Sequence, residues 1–221
     1  MFAKAMRLWA GLSAAIATLA VSAAIAQPAQ ITPLSPPQPV ENDGKIEVIE
    51  FFAYGCIHCA NIEPRVKEWL GKQAADVKFK RVPSPFPVRG IDSVPIFYSL
   101  EAMGQLERLH QKLFDAANLE NVQLGHLPTL LKWLEKNGVK AADYESVQKS
   151  FAVDNRIKRA NRMVQDYKVQ STPTFIVDGR HSIPGLGVES LALIDQAIEQ
   201  TRQKMKASTA AAAPAAPAKK K

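Results

Sequence analysis

The sequence predicts an α/β fold in two parts, with a block of helices inserted between them. Three observations carry this. From Lys45 to Ala53 a run of β-branched and aromatic residues reads as a strand, breaks at Tyr54-Gly55 and passes directly into a helical pattern opened by Cys56. Far downstream, Thr174 to Val177 reads as a second strand, ended by Asp178-Gly179, a strong hairpin signal. Between Pro83 and Gln165 the apolar spacing is helical. Hydrophobic residues make up 47% of the 221, enough to build one domain or one domain with a large insertion.

In chain order, residues 1–26 read as a secretory signal cleaved near Ala26. Lys4 and Arg7 give a positive start, Leu8 to Ile25 is apolar and alanine-rich, and Ala24-Ile25-Ala26 is a small-x-small cleavage site. The competing reading is a retained membrane anchor. Against it, the run barely reaches the roughly 20 apolar residues a bilayer needs, and its Ala and Ser are weakly hydrophobic. Residues 27–42 form a Pro-rich leader, expected to be extended or poorly ordered. Residues 43–83 hold the first α/β part, 84–165 the helical insertion and 166–205 the second α/β part. Residues 206–221 are Ala/Pro-rich and end in Lys219, Lys220 and Lys221. They can bury little and are expected to be disordered.

The formal charge is +7; loss of Lys4 and Arg7 with the signal leaves +5, three of them on the last three residues. The folded part is therefore only mildly basic. It carries no basic stripe interleaved with aromatics, so nucleic acid is not among its expected partners. The lysine tail reads as a solubilising end, with weak attraction to an anionic membrane surface as the other reading.

Cys56 and Cys59 are the chain's two cysteines. Exported proteins usually spend cysteines on disulfides that close long loops. A bond here closes four residues, which stabilises by about 2 kcal/mol against about 4.7 for a 100-residue loop. It is a weak staple but a well-placed redox centre. Structural zinc needs four ligands; no second Cys-x-x-Cys exists, and His58, His110, His126 and His181 are scattered. The strand–turn–Cys-x-x-Cys–helix layout places Cys56 at a helix N-terminus, where unpaired N–H groups and the positive dipole end favour an anion. Cys56 is thus expected to be a low-pKa, exposed nucleophile and Cys59 the more buried resolving thiol. Between them, His58 can donate to the Cys56 thiolate or add positive charge. Stabilising that thiolate makes the disulfide more oxidising. The bland alternative for His58 is a solvated helix residue with no tuning role.

The segment Ser171-Thr172-Pro173-Thr174-Phe175 puts Thr-Pro at the head of the second strand, where proline need not donate to the ladder. Together with Glu50-Phe51-Phe52-Ala53-Tyr54-Gly55-Cys56-Ile57-His58-Cys59, it resembles the thioredoxin superfamily and, within it, the DsbA family of thiol oxidases of the periplasm. The resemblance spans about residues 43–205. It implies a thioredoxin fold with an inserted all-helical domain, and a cis Thr172-Pro173 bond facing Cys56 with Thr172 backbone groups free to pair with an extended substrate. It implies that Glu50 is a buried acid under the active site that moves protons at the inner thiol. It also makes Lys80, on the next strand, a candidate basic partner for Glu50. The alternative for Glu50 is a solvent-facing strand residue, though Ile49, Phe51 and Phe52 beside it favour burial. Where the family commonly has Pro before the histidine, this chain has Ile57, which keeps its backbone N–H and adds an exposed apolar surface for substrate.

The helices are expected over Pro95–His110, Leu127–Leu134 with Gly138 as stop, Tyr144–Phe151 and Ile157–Tyr167. A short strand near Arg180–Ile183 and a last helix over Glu189–Lys204 complete the fold. Their apolar stripes read as core, and His110, His126 and His181 as surface or core-edge residues without evident partners. The chemistry expected is thiol–disulfide exchange. A substrate thiolate attacks Cys56, a mixed disulfide forms along Thr172-Pro173, and a second substrate thiol leaves Cys56 and Cys59 reduced. The cysteine pair is the redox centre and no other cofactor is expected. The resemblance implies reduced exported proteins as substrates, a quinone-coupled membrane reoxidase of the DsbB type, a periplasmic location and a monomer. The rival readings are an isomerase or reductase using the same site, and a peptide-binding chaperone-like module with an idle disulfide. Related isomerases add a dimerisation domain, for which residues 27–42 leave no room. Cys56→Ser separates the binding module, which survives the change, from the enzyme, which does not.

Overall fold

A computed structural model describes residues 30–41 and 43–212. The signal reading of residues 1–26, the first leader residues and the Lys219–Lys221 tip lie outside the described residues. The elements are β1 (Thr32–Pro33), β2 (Ile46–Phe52), α1 (Ile57–Leu70), β3 (Val77–Pro83), α2 (Ser93–Ala102), α3 (Leu106–Asn118), α4 (Leu127–Lys136), α5 (Ala141–Gln148), α6 (Phe151–Asp166), β4 (Thr174–Val177), β5 (His181–Pro184) and α7 (Glu189–Ala212).

The sheet runs β1-β5-β4-β2-β3. β2 and β3 are parallel; the remaining pairs are antiparallel. A parallel pair needs a crossover, and α1 supplies it. All seven residues of β2 are buried, which is why this strand reads as a nearly continuous apolar run rather than an alternation. Its odd and even positions feed two cores. Ile46 and Val48 pack with Phe175, Val177 and Ile183 against Ile62, Val66 and Trp69 of α1 and Ile194 and Ile198 of α7. Ile49 and Phe51 face the other way, onto Val94, Ala160, Val164 and Tyr167. A third cluster joins Phe52 and Tyr54 to the helices of the insertion through Phe97, Leu109, Leu113 and Phe114. This cluster fixes the insertion against the end of β2 where the cysteines lie.

Three segments differ from the sequence expectation, and a fourth, the leader, takes the extended alternative of its reading over its described part. Thr32–Pro33 adds an edge strand to β5, and the Leu34 and Gln38 N–H groups donate to Arg180 and Gly179 carbonyls at 2.7 and 2.8 Å. Leu34 is buried, so one apolar anchor and main-chain pairing hold a stretch whose prolines suggested little order. The helix expected over Pro95–His110 is two helices, because Gly104 adopts a positive φ of 66°, a conformation that ends a helix and suits glycine. Phe151 opens α6 rather than closing α5; Ser150 caps α6 by accepting the Val153 N–H. Residues 206–212, expected in a disordered tail, continue α7, since Ala is the strongest helix former and the stretch holds no Pro.

Candidate active site

The turn after β2 has room for glycine alone. A Cβ on Gly55 would lie 2.1 Å from the Val88 carbonyl oxygen. This close approach delivers Cys56 as the N-cap of α1, with φ −82° and ψ 113°, and its sulfur accepts the Cys59 N–H at 3.4 Å. Both cysteines are unbonded thiols; Cys56 is 6% exposed and Cys59 fully enclosed.

The second half of the site comes from the head of β4. Thr172-Pro173 is a cis peptide, and the Cys56 thiol donates to the Thr172 carbonyl at 3.2 Å. Residues separated by 116 positions thus meet at one sulfur. The Gly185 N–H donates to the Pro173 carbonyl at 2.9 Å. A Cβ on Gly185 would lie 2.5 Å from Pro173 Cγ, so this glycine is what lets β5 close over the proline. Exposed apolar residues flank both halves: Ile57 beside Cys56, and Leu186 and Val188 beyond Gly185.

The two thiols are driven apart in acidity. Cys56 is lowered to about 5, chiefly by the hydrogen bond from the Cys59 thiol, against its own burial. The Thr172 side chain and the backbone N–H groups of Cys59 and His58 add to the effect. Cys59 is pushed far above the ordinary thiol range by burial, by donating to Cys56 and by the Cys56 charge. His58 is exposed; its contribution to Cys56 comes from the backbone N–H.

Beneath the cysteines lies a buried charged cluster. Glu50 is fully enclosed and raised to about 8 by burial and then by the charge of Glu63, with Arg81 pulling the other way. The Arg81 guanidinium donates to Glu63 Oε1 at 2.7 Å and places Nε 3.3 Å from Glu50 Oε2. The latter contact lies off the line of a hydrogen bond, and both oxygens of Glu50 are without one. Lys80 is therefore not the partner of Glu50. The parallel register sets Glu50 opposite Arg81 and Lys80 opposite Ile49, and successive strand residues face opposite sides. Lys80 instead pairs with Glu47 and Glu41 on the other face.

Glu63, Arg81 and His110 were not singled out by the sequence reading. A signal for Glu63 exists: it sits between Ile62 and Val66 on the α1 stripe, two helical turns beyond Cys56, where a charge interrupts an apolar face. No such signal separates Arg81 from Lys80, because both phases of β3 carry cations. His110 is not a partnerless edge residue. It is 8% exposed, its Nδ1 meets the Tyr54 hydroxyl at 3.0 Å, and its Nε2 lies 3.7 Å from Glu63 Oε2. His181 is also buried, in β5, while His126 is exposed and bonds Thr129. Among the described residues no group of three or more His, Cys, Asp or Glu could hold a metal.

Comparison with known proteins agrees with this geometry. A family model of the DSBA-like thioredoxin domain matches residues 92–199. The thiol:disulfide interchange protein DsbA of Bordetella parapertussis is 36% identical over 89% of this chain and 97% of its own. That of Pseudomonas aeruginosa is 36% identical over 76% and 82%. The crystal structure of Pseudomonas aeruginosa DsbA superposes with a TM-score of 0.71 at 32% identity, covering 80% of this chain and 95% of that one. With a Cys-x-x-Cys helix cap, a cis-proline loop against its sulfur, and this likeness over nearly the whole length of its relatives, the chain belongs to the DsbA family of thioredoxin-fold thiol:disulfide oxidoreductases.

Proposed function

We propose that this chain is the disulfide donor for newly exported proteins, passing the Cys56–Cys59 bond to them during oxidative folding. The observation that carries the reading is the Cys56 sulfur capping α1, where it accepts from the Cys59 N–H and is lowered to about 5 by the Cys59 thiol and these N-terminal donors. A thiolate this stable favours the reduced pair and is a good leaving group, so the disulfide is readily given away. An isomerase or reductase would need a less oxidising pair, and a binding module would have no use for so perturbed a thiol.

In the proposed roles, Cys56 receives the substrate sulfur, Cys59 leaves as the buried thiol, and a second substrate thiol resolves the mixed disulfide by displacing Cys56. The Thr172-Pro173 loop pairs with the extended substrate backbone, while Ile57 and Leu186 meet its apolar side chains. Glu50, enclosed and holding a proton near neutrality, exchanges it with Cys59. His58 contributes to the Cys56 thiolate through its backbone N–H. Support for the cellular setting is compositional. The 1–26 signal reading directs export to the periplasm; the relatives' name, thiol:disulfide interchange protein, fits reduced proteins as substrates, and the family resemblance implies a membrane reoxidase of the DsbB type. No helix among the described residues is long and apolar enough to cross a membrane. The cysteine pair is the whole redox centre, with no further cofactor.

The test is the equilibrium of the mature protein with a glutathione redox buffer, followed by alkylation of Cys56 and Cys59. A potential well above that of the glutathione couple is expected. A potential well below it would turn the reading toward a reductase.

A further inference from the structure

We propose that His110 is the outer station of a proton route serving Cys59, running from Glu50 through the Glu63–Arg81 pair to His110 and out into a cavity behind the active site. The inference rests on the reading of Glu50 as the proton holder for Cys59.

The need for a route comes from charge accounting. Two carboxylates, Glu50 and Glu63, flank one permanent cation, Arg81. Buried charge must be balanced, so the cluster is neutral with one proton on the carboxylates. When a substrate thiolate attacks Cys56, the S–S bond breaks and Cys59 leaves as a thiolate. The Glu50 proton moves to that sulfur, giving a Cys59 thiol and leaving two carboxylates against one cation. The deficit is one proton, and Glu50 has no contact with solvent through which to recover it.

The structure offers an outlet on the side away from the cysteines. A cavity of about 820 Å³ is lined by Glu63, Arg81 and His110 together with residues of α2 and α6. Glu50 Oε1 and Oε2, Glu63 Oε2, Arg81 Nε and His110 Nε2 are all buried without a hydrogen bond, a run of unsatisfied atoms leading toward this cavity. With Nδ1–H donating to the Tyr54 oxygen, Nε2, the nitrogen facing Glu63, keeps its lone pair and can take up a proton. The 3.7 Å gap exceeds direct hydrogen-bond reach, and one water or a small ring rotation spans it. His110 thus takes a proton from the cavity at Nε2, becoming imidazolium in passing, and hands that proton to Glu63; Glu63 restores Glu50, and the ring returns to neutral. On reoxidation the same proton leaves in reverse.

The field around the ring suits a carrier. Burial lowers His110 while Glu63 raises it, with Arg81 lowering and Glu107 raising more weakly. Tyr54 is held neutral by burial. At the cavity, Glu101 is neutralised by Arg156, Lys80 by Glu47 and Glu41, and Lys67 and Arg159 supply cations. His110 is therefore neutral at working pH and charges only in passing.

The experiment follows the rate at which reduced glutathione opens the Cys56–Cys59 bond, corrected to its thiolate, between pH 5.5 and 8.5. It uses the full mature chain and the variants His110→Ala, Tyr54→Phe and Glu50→Gln. A roughly threefold to tenfold loss is expected in His110→Ala, steepening as pH rises, with recovery on adding imidazole, which the vacated space admits. Tyr54→Phe should show the same pH trend more weakly. If His110→Ala is slow but imidazole does not restore it, the residue is structural and the relay is wrong. If it does not fold, Tyr54→Phe decides, and a profile like the parent's overturns the relay. A slow Glu50→Gln beside a normal His110→Ala removes this inference alone; a normal Glu50→Gln removes both it and the reading beneath it.

Discussion

At the scale of single residues, the site turns on two groups whose acidities are set by neighbours rather than by type. Cys56 is stabilised as an anion by a thiol and by N–H donors at a helix start, and the exposed His58 imidazole is not what the layout relies on. Alkylation of the reduced protein by iodoacetamide should show a midpoint near pH 5, and His58→Ala should move it far less than Cys59→Ala, which removes the first-ranked donor. A larger shift in the histidine variant would return the tuning role to the imidazole. Beneath the thiols, Arg81→Met leaves two buried carboxylates without their cation and should cost about 3–5 kcal/mol in urea unfolding. Lys80→Met breaks an exposed pair with Glu41 and leaves the buried Glu47 without its cation, and should cost less, about 1–2 kcal/mol; equal losses would speak against the register. The cysteines, Pro173 and Glu50 were legible because local pattern or motif marks them. Arg81 and His110 were not, since a strand phase with cations on both faces and a histidine on a helix acquire partners only once distant elements pack.

At the scale of elements, two features govern how the site is held. Gly185 carries the β5 end across Pro173 with no space for a side chain. Gly185→Ala should destabilise the fold by about 1–3 kcal/mol through overpacking and draw Thr172 away from Cys56, losing the side-chain hydrogen bond that helps to lower it. The alkylation midpoint of Cys56 should then rise, whereas an unmoved midpoint would mean the loop yields elsewhere. The leader strand β1 closes the open edge of β5, a device that protects an edge from pairing with other chains. Leu34→Ala should cost about 2 kcal/mol by urea unfolding, because Leu34 packs with Ile176 and Tyr167 in the second core. A negligible cost would mean the leader is an ornament of the sheet. Element existence was readable wherever periodicity ran long. What was missed sits at Gly104 and Ser150, where one residue splits a continuous apolar pattern, and in the leader, where main-chain pairing leaves no trace in side-chain periodicity.

At the scale of the whole molecule, the redox state is coupled to folding stability, and pH exposes the coupling. In the reduced chain Cys56 ionises near 5 when folded but near 8.5 when unfolded. Between these values the unfolded state holds a proton the native state lacks, so the stability of the reduced form rises with pH. The disulfide form has no such group. Glu50 acts with the opposite sign. Its folded value of about 8 against an ordinary 4.5 means that stability is lost as pH rises through that window, in both redox forms. His110, lowered by burial, favours folding as pH rises toward 6.5 in both forms. These two terms largely cancel in the difference between reduced and oxidised protein, which isolates Cys56. The bond itself closes only four residues and adds about 2 kcal/mol to the oxidised side, independent of pH. Urea unfolding of both forms at pH 4.5 and pH 8 should therefore show the reduced form gaining on the oxidised form across that interval. Glu50→Gln should flatten the decline of the oxidised form without removing the gain. By linkage, the stability gained by the reduced fold is the same free energy that drives the disulfide onto substrate. A reduced-minus-oxidised gap unchanged between the two pH values would mean that the Cys56 thiolate is not what makes this chain a donor.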